Sequence, residues 1–421
     1  MMKRLLNNSF LRSSFIFTAA NLLVSVIAYV DNLLVARYLT LTEYGEYTTA
    51  LSYLIFFSVP LTAFGLIVVA RIGRESSERR PSIALSIERW LETELWTFAP
   101  ALLLLVSVVA VLMYFKGNMS IMAVAFVIAS SIIGIFTSFY SSVLQSYKTF
   151  WSVGIFSIVS AFIKLALFVL VVVIRPELFW LFVGFILSYV LSYFIGRKMI
   201  RKKTSYQVKN LQFAQLRKYL RRKSILIPLF TTLGIVGLSN VDVILVKKFF
   251  DGDLVGLYAS LSLLGKIIFF AVSPLSTVGY TFFTGSDTKH QSLPILLLLT
   301  VGIIVVGFGM TFFYSLFPSF VIQVVFAKSR FLQVQDLVWL AALFGTMYSL
   351  MYLYSQYFVA QKSRFAILGI LAVIVQVITI FAVHHSLRDV LVINIVVNSL
   401  LALVYVGEVI RRFIISKRSV T

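Results

Sequence analysis

The chain has 421 residues, of which 60% are hydrophobic and 13% charged, with 37 Lys and Arg against 16 Asp and Glu and no cysteine. A soluble domain carries about 25% charged residues. This balance, with a mean hydropathy of +0.97, excludes a soluble globular protein and predicts a polytopic membrane protein. The missing cysteines exclude a disulfide framework and a thiolate metal site.

The N-terminal stretch MMKRLLNNSFLRSSFIFTAANLLVSVIAYV starts like a signal peptide. Its apolar run is too long, holds Asn21, continues into Asp31 and lacks a small-x-small cleavage site, so a retained first span is expected. Runs of about 20 apolar residues mark spanning helices. Twelve follow in chain order, at 14–36, 46–70, 93–115, 120–145, 152–174, 178–196, 225–246, 256–283, 293–316, 338–361, 365–383 and 390–410. With the N-terminus cytoplasmic, 27 of the 37 basic residues fall on the cytoplasmic side and 8 on the outer side, while Lys164 and Lys266 lie within spans. That bias places both termini inside. It also accounts for most of the net charge of +21 and leaves no reason to invoke nucleic acid. The polar stretch 197–224 holds eleven basic residues and no acidic one. Phe213, Leu216 and Leu220 share a helical face there, so a linker drawn to anionic inner-leaflet lipids is expected.

The chain repeats internally. DNLLVARY (Asp31–Tyr38) matches DVILVKKF (Asp242–Phe249), and Gly45 and Tyr47 match Gly256 and Tyr258 at the same offset. PLTAFG (Pro60–Gly65) matches PLSTVG (Pro274–Gly279), and KTFWSVGI (Lys148–Ile155) matches SRFAILGI (Ser363–Ile370). The fold class is therefore all-α, with twelve transmembrane helices in two six-helix bundles. The expected division is 1–203, a basic linker 204–223, and 224–421. Six is even, so the repeats are parallel, and transporters built this way place the substrate between halves that rock to give alternating access.

A carboxylate deep in a span costs about 2.5–3.5 kcal/mol on insertion scales. Asp31 and Asp242 occupy one repeat position near the outer ends of the first and seventh spans, each six residues before a basic residue, Arg37 or Lys248. They are read as a gate between the halves, the alternative being outer-end carboxylates that reach water. Several spans carry polar stripes at helical spacing. The first has Ser14, Thr18, Asn21, Ser25 and Asn32; the fourth Ser131, Ser138, Ser141 and Gln145; the fifth Ser157, Ser160 and Lys164. The eighth has Ser262, Lys266, Ser273 and Thr277, and the tenth Thr346, Ser349 and Gln356. Serines alone suit tight helix contacts. Mid-span Lys164 and Lys266 point instead to a cationic water-filled cavity or to pairing with a carboxylate in the bundle. Pro60 and Pro274, with Gly65 and Gly279, are expected to break the second and eighth spans as hinges or static kinks. No Walker A motif, metal cluster or Ser/His/Asp arrangement is visible, so neither enzyme activity nor a cofactor is expected.

The stretch ARYLTLTEYGEYTTALSYLIFFSVPLTAFG (Ala36–Gly65), leading to Arg71, resembles the signature of Wzx-type polysaccharide flippases. With length, span number and the two-bundle repeat, it places the chain's likeness in the multidrug/oligosaccharidyl-lipid/polysaccharide (MOP) exporter superfamily. The resemblance implies a substrate of undecaprenyl-diphosphate-linked oligosaccharide, such as an O-antigen repeat unit, moved from inner to outer leaflet of a bacterial inner membrane. It further implies that the first, second, seventh and eighth spans line the cavity, with polysaccharide polymerase and chain-length proteins as partners. From the stripes and the motif, Lys266, Lys164, Asn21, Asn32, Gln145 and Arg71 are the residues expected to serve that cavity. Lysine suits the diphosphate as a point charge. Two other readings stand beside it: an antiporter using Asp31 or Asp242 as an ion site, and a membrane glycosyltransferase or polymerase.

Overall fold

A computed structural model describes residues 9–73, 78–97, 99–147, 150–201, 226–284 and 292–418. Among these residues there is helix and turn but no strand. The first half builds α1 (Ser9–Tyr38), α2 (Leu41–Ile72), α3 (Arg80–Thr97), α4 (Ala99–Phe115), α5 (Ile121–Ser146), α6 (Phe150–Ile174) and α7 (Leu178–Arg201). The second builds α8 (Leu226–Phe249), α9 (Gly252–Thr284), α10 (Ser292–Leu316), α11 (Pro318–Phe326), α12 (Val338–Ala360), α13 (Leu368–Ala382) and α14 (Leu387–Arg418). Eleven of the described helices are long and apolar enough to cross a membrane, and the shorter apolar stretch Leu103–Phe115 joins them. The linker 204–223 lies outside the described residues.

The short member is the third expected span, 93–115. Its apolar part forms α4, of 17 residues, about 26 Å at 1.5 Å per residue against a hydrocarbon thickness of about 30 Å. Ahead of it, α3 carries Glu88, buried, which accepts a 2.8 Å hydrogen bond from the Tyr140 hydroxyl and lies 3.7 Å from the Arg197 guanidinium. A buried carboxylate needs such compensation, and the need draws charged residues of α3 into the helical core. A second difference is a folded element between α10 and α12. Pro318 starts α11, where its missing N–H costs nothing, and Ala327 ends it in the left-handed conformation, φ 53°. A 3-10 segment, Ser329–Leu337, then folds back so that Phe331 stacks on Phe326 at 4.5 Å.

Packing divides the chain into two compact units, Met1–Leu39 with Tyr53–Leu226 and Thr40–Ser52 with Ile227–Thr421. Helix α2 thus contributes to both. In the first unit, α1 packs along α6, α5 along α7, and α6 against α7. Phe126 of α5 stacks on Phe182 at 4.2 Å and meets Phe185 edge-on. In the second unit α9 and α12 are innermost. Their apolar stretches are 72% and 67% buried, against 17% for α10 and 22% for the span around α13, which lie at the outside of this unit. A Cβ on Gly265 would lie 2.6 Å from the Ala341 carbonyl oxygen, so only glycine permits that approach of α9 to α12.

The segment 41–52 enters the second unit through contacts that repeat the sequence pairing. A Cβ on Gly45 would lie 2.8 Å from the Gly256 nitrogen, and one on Gly256 would overlap the Leu41 carbonyl. Thr42 donates a 2.6 Å hydrogen bond to Asp253, exactly the repeat offset of 211 away. Glu46 pairs with Lys247 at 2.5 Å, both side chains largely buried.

Candidate functional site

Among the buried polar groups of the described residues, each unit holds a centre built on one of the repeat aspartates. Both aspartates are fully buried, at 0% exposure, so neither is an outer-end carboxylate held in water.

In the first unit, Lys164 of α6 comes within 2.8 Å of Asp31 of α1. The pair follows from the packing of α1 along α6, which brings together two charges 133 positions apart in sequence. The Lys164 ammonium also lies 5.2 Å from the Phe185 ring centroid, a cation–π contact that further compensates it. The pair borders a cavity of about 380 Å³ within this unit. From α6 the cavity takes Ser157, Ser160 and Lys164, and from α5 Ser131 and Ser138, as the polar stripes imply. From α2 it takes Ser58 and Thr62, and from α7 Ser188, Tyr189 and Ser192, which the reading of the sequence did not single out. The i, i+4 spacing of Ser58 with Thr62 and of Ser188 with Ser192 is the signal that marks these faces. Helix α1 contributes Val24, Ala28 and Asp31 rather than its asparagines. Asn21 is exposed, and Asn32 donates to the Ala28 carbonyl of its own helix at 2.8 Å. Gln145 is half-buried away from the cavity, and the Arg71 side chain lies outside the described residues.

In the second unit, Asp242 of α8 accepts hydrogen bonds from Tyr258 of α9 at 2.6 Å and from Asn394 of α14 at 2.8 Å. Gln376 of α13 donates to the Asn394 side-chain oxygen at 2.6 Å. Lys266 of α9 donates to Asn240 of α8 at 3.2 Å, two residues before Asp242. Four helices thus converge on one carboxylate. Tyr258, Gln376 and Asn394 were not anticipated, although Asn394 and Asn398 lie at i, i+4 on one face of an apolar helix, the pattern that marks a polar contact inside a bundle.

The flanking bases do not pair with the repeat aspartates. Lys248 lies over the Phe381 ring at 4.3 Å, and Arg37 is half-buried at the end of α1. The immediate partners of Asp31 and of Asp242 come from their own units. Neither proline ends its helix: α2 continues through Pro60 to Ile72 and α9 past Pro274 to Thr284, as a membrane helix can when neighbouring groups satisfy the freed carbonyl. Gly65 and Gly279 are close-packing positions: an added Cβ would lie 2.5 Å from Ser142 Oγ or from Leu299 Cδ1 respectively.

No family model matches the chain, and no curated protein matches it in sequence. Solved structures do match in fold. The lipid II flippase MurJ in an inward closed conformation is similar with a TM-score of 0.71 at 15% identity, over 94% of this chain and 87% of that one. An inward-facing multidrug resistance MATE family transporter of the MOP superfamily gives 0.69 at 16% identity, over 94% and 96%. An outward-facing MATE transporter of the same superfamily gives 0.62 at 15% identity, over 98% of both chains. The chain is accordingly an all-helical, multi-pass membrane protein with the fold of MOP-superfamily transporters.

Proposed function

We propose that the chain is a flippase that carries undecaprenyl-diphosphate-linked oligosaccharide, an O-antigen or related polysaccharide repeat unit, from the inner to the outer leaflet of a bacterial inner membrane by alternating access. The observation that carries this reading is a lysine within the buried polar centre of the second unit, Lys266, whose hydrogen bond is to the neutral Asn240 and not to a carboxylate. Intramembrane ionisable residues mark substrate or ion paths, and a lipid diphosphate needs cationic partners that an organic-cation site would avoid. The likeness to a protein that flips lipid II supports a lipid-linked substrate. The resemblance over Ala36–Gly65 favours a polysaccharide repeat unit. In this reading both termini and the basic linker face the cytoplasm, the linker lies on anionic lipids, and a polymerase with its chain-length partner receives the product.

The test uses purified protein in vesicles loaded with fluorescent undecaprenyl-diphosphate oligosaccharide, with leaflet exposure read by a membrane-impermeant quencher. The wild type should accelerate translocation. Lys266→Ala should slow it about ten- to a hundredfold, in keeping with the roughly 1.5–3 kcal/mol of a hydrogen bond to a charged group, and Lys266→Arg should retain more activity. Wild-type vesicles that leave the lipid in place but accumulate ethidium would replace the flippase with a multidrug transporter.

A further inference from the structure

Eleven of the twenty residues that line the first-unit cavity carry a hydroxyl, set among apolar surface. Its volume of about 380 Å³ falls within the roughly 300–1,000 Å³ typical of small-molecule sites. Three polar groups at its wall are buried and lack hydrogen-bond partners: Asp31 Oδ1, Ser130 Oγ and Ser160 Oγ. Asp31 and Ser130 are both at 0% exposure. Buried polar atoms left in this state call for a partner from outside the protein.

The chemistry of that partner follows from what the wall offers. Several hydroxyls spend their protons on their own helices: Ser131 donates to the Val127 carbonyl at 2.7 Å, Ser188 to Phe185 at 2.6 Å and Thr62 to Ser58 at 3.1 Å. Such groups turn lone pairs toward the cavity and act there as acceptors. Ser130 and Ser160 still have protons to give. The ammonium of Lys164 is committed to Asp31 at 2.8 Å, so the charges of the pair cancel. A diphosphate only accepts hydrogen bonds and would face a wall of acceptors and a carboxylate. An organic cation would meet the ammonium. An uncharged polyol donates and accepts at every carbon and matches both kinds of wall group.

We infer that the first-unit cavity is a carbohydrate subsite that receives an uncharged sugar ring of the translocated glycan, with Asp31 Oδ1 accepting from sugar hydroxyls and Ser130 and Ser160 donating to them. This rests on the flippase reading and assigns the glycan, not the diphosphate, to this unit. Substrate selection by sugar identity then resides in the first unit.

The chain has no cysteine, so single cysteines at Ser160 and Thr62, both lining the cavity, report on it in purified, reconstituted protein. The probes are glucose, galactose, rhamnose and N-acetylglucosamine, against inorganic pyrophosphate and tetraphenylphosphonium. At least one sugar should slow maleimide alkylation of Thr62→Cys threefold or more at millimolar concentration, while pyrophosphate and tetraphenylphosphonium leave it unchanged. Asp31→Asn in the same background should abolish that protection. Protection by pyrophosphate or tetraphenylphosphonium in place of sugars overturns the assignment. So does failure of both cysteines to react, since a sealed cavity admits no ring. If the wild type translocates lipid-linked oligosaccharide but no sugar protects, the subsite fails and the flippase reading survives. If sugars protect but no lipid-linked oligosaccharide moves, the flippase reading fails and the subsite stands.

Discussion

Replacing Lys164 by Met keeps the length of the side chain and deletes the charge that compensates Asp31. The two groups are 2.8 Å apart, so their attraction is about 6 kcal/mol at an effective dielectric of 20. Desolvation of both groups offsets most of that in the intact pair. Breaking the pair from the lysine side leaves a carboxylate at 0% exposure with no other hydrogen-bond partner, and that situation costs about 3–5 kcal/mol. Breaking it from the other side is cheaper. Lys164 keeps 20% of its side chain exposed and retains its aromatic neighbours, so Asp31→Asn should cost about 1–2 kcal/mol, near that of an ordinary lost hydrogen bond. The double variant leaves no stranded charge and should be more stable than Lys164→Met alone, a coupling of about 2 kcal/mol in the cycle. Denaturant unfolding in detergent, followed by tryptophan fluorescence, measures all four proteins. A loss below about 1 kcal/mol for Lys164→Met, well short of the buried-pair range, would refute the reasoning, as would single effects that simply add.

Tyr258→Phe removes one of two donors to Asp242 and should lower stability by about 1–3 kcal/mol in the same assay. Cysteines at Thr42 and Asp253, whose side chains meet at 2.6 Å, should cross-link under mild oxidation, with the cross-link reversed on reduction. Gly256→Val should abolish that cross-link in membranes, because its side chain would enter the Leu41 backbone; an unchanged cross-link yield would show that the helices are not in such close approach. A cysteine at Ser205, in the basic linker, should resist a membrane-impermeant thiol reagent in intact cells and react in inverted vesicles.

The spans were legible because a run of apolar residues long enough to cross a bilayer has few other uses. The third was harder: α3 mixes Glu88, Glu92 and Glu94 with core residues such as Ile83 and Ile87, and hydropathy cannot tell a buried, paired charge from a solvated one. The repeat located Asp31 and Asp242 without any structure. It could not supply their partners, because Lys164 and Asn394 arrive from helices far away in sequence and the two repeats have diverged there. Periodicity placed Asn32 on a polar stripe but could not show that its amide closes on the Ala28 carbonyl of its own helix. Spacing reports direction around a helix and is silent on which direction faces a neighbour.

Helix α2 joins the second unit at residues 41–52 and the first at 53–72, with a consequence for cutting the chain. Genetic division at the basic linker would separate the second unit from a piece of its own interior, Tyr44, Gly45 and Glu46 among it. The fragment that begins at residue 224 would carry an open groove where Gly256 and Lys247 normally find their partners. Two fragments made in one cell should find each other through that groove, the first lending its helix as a splint to the second. The second fragment made alone should be the one that proteases remove. The dependence runs one way: the second half needs a helix that the first half carries.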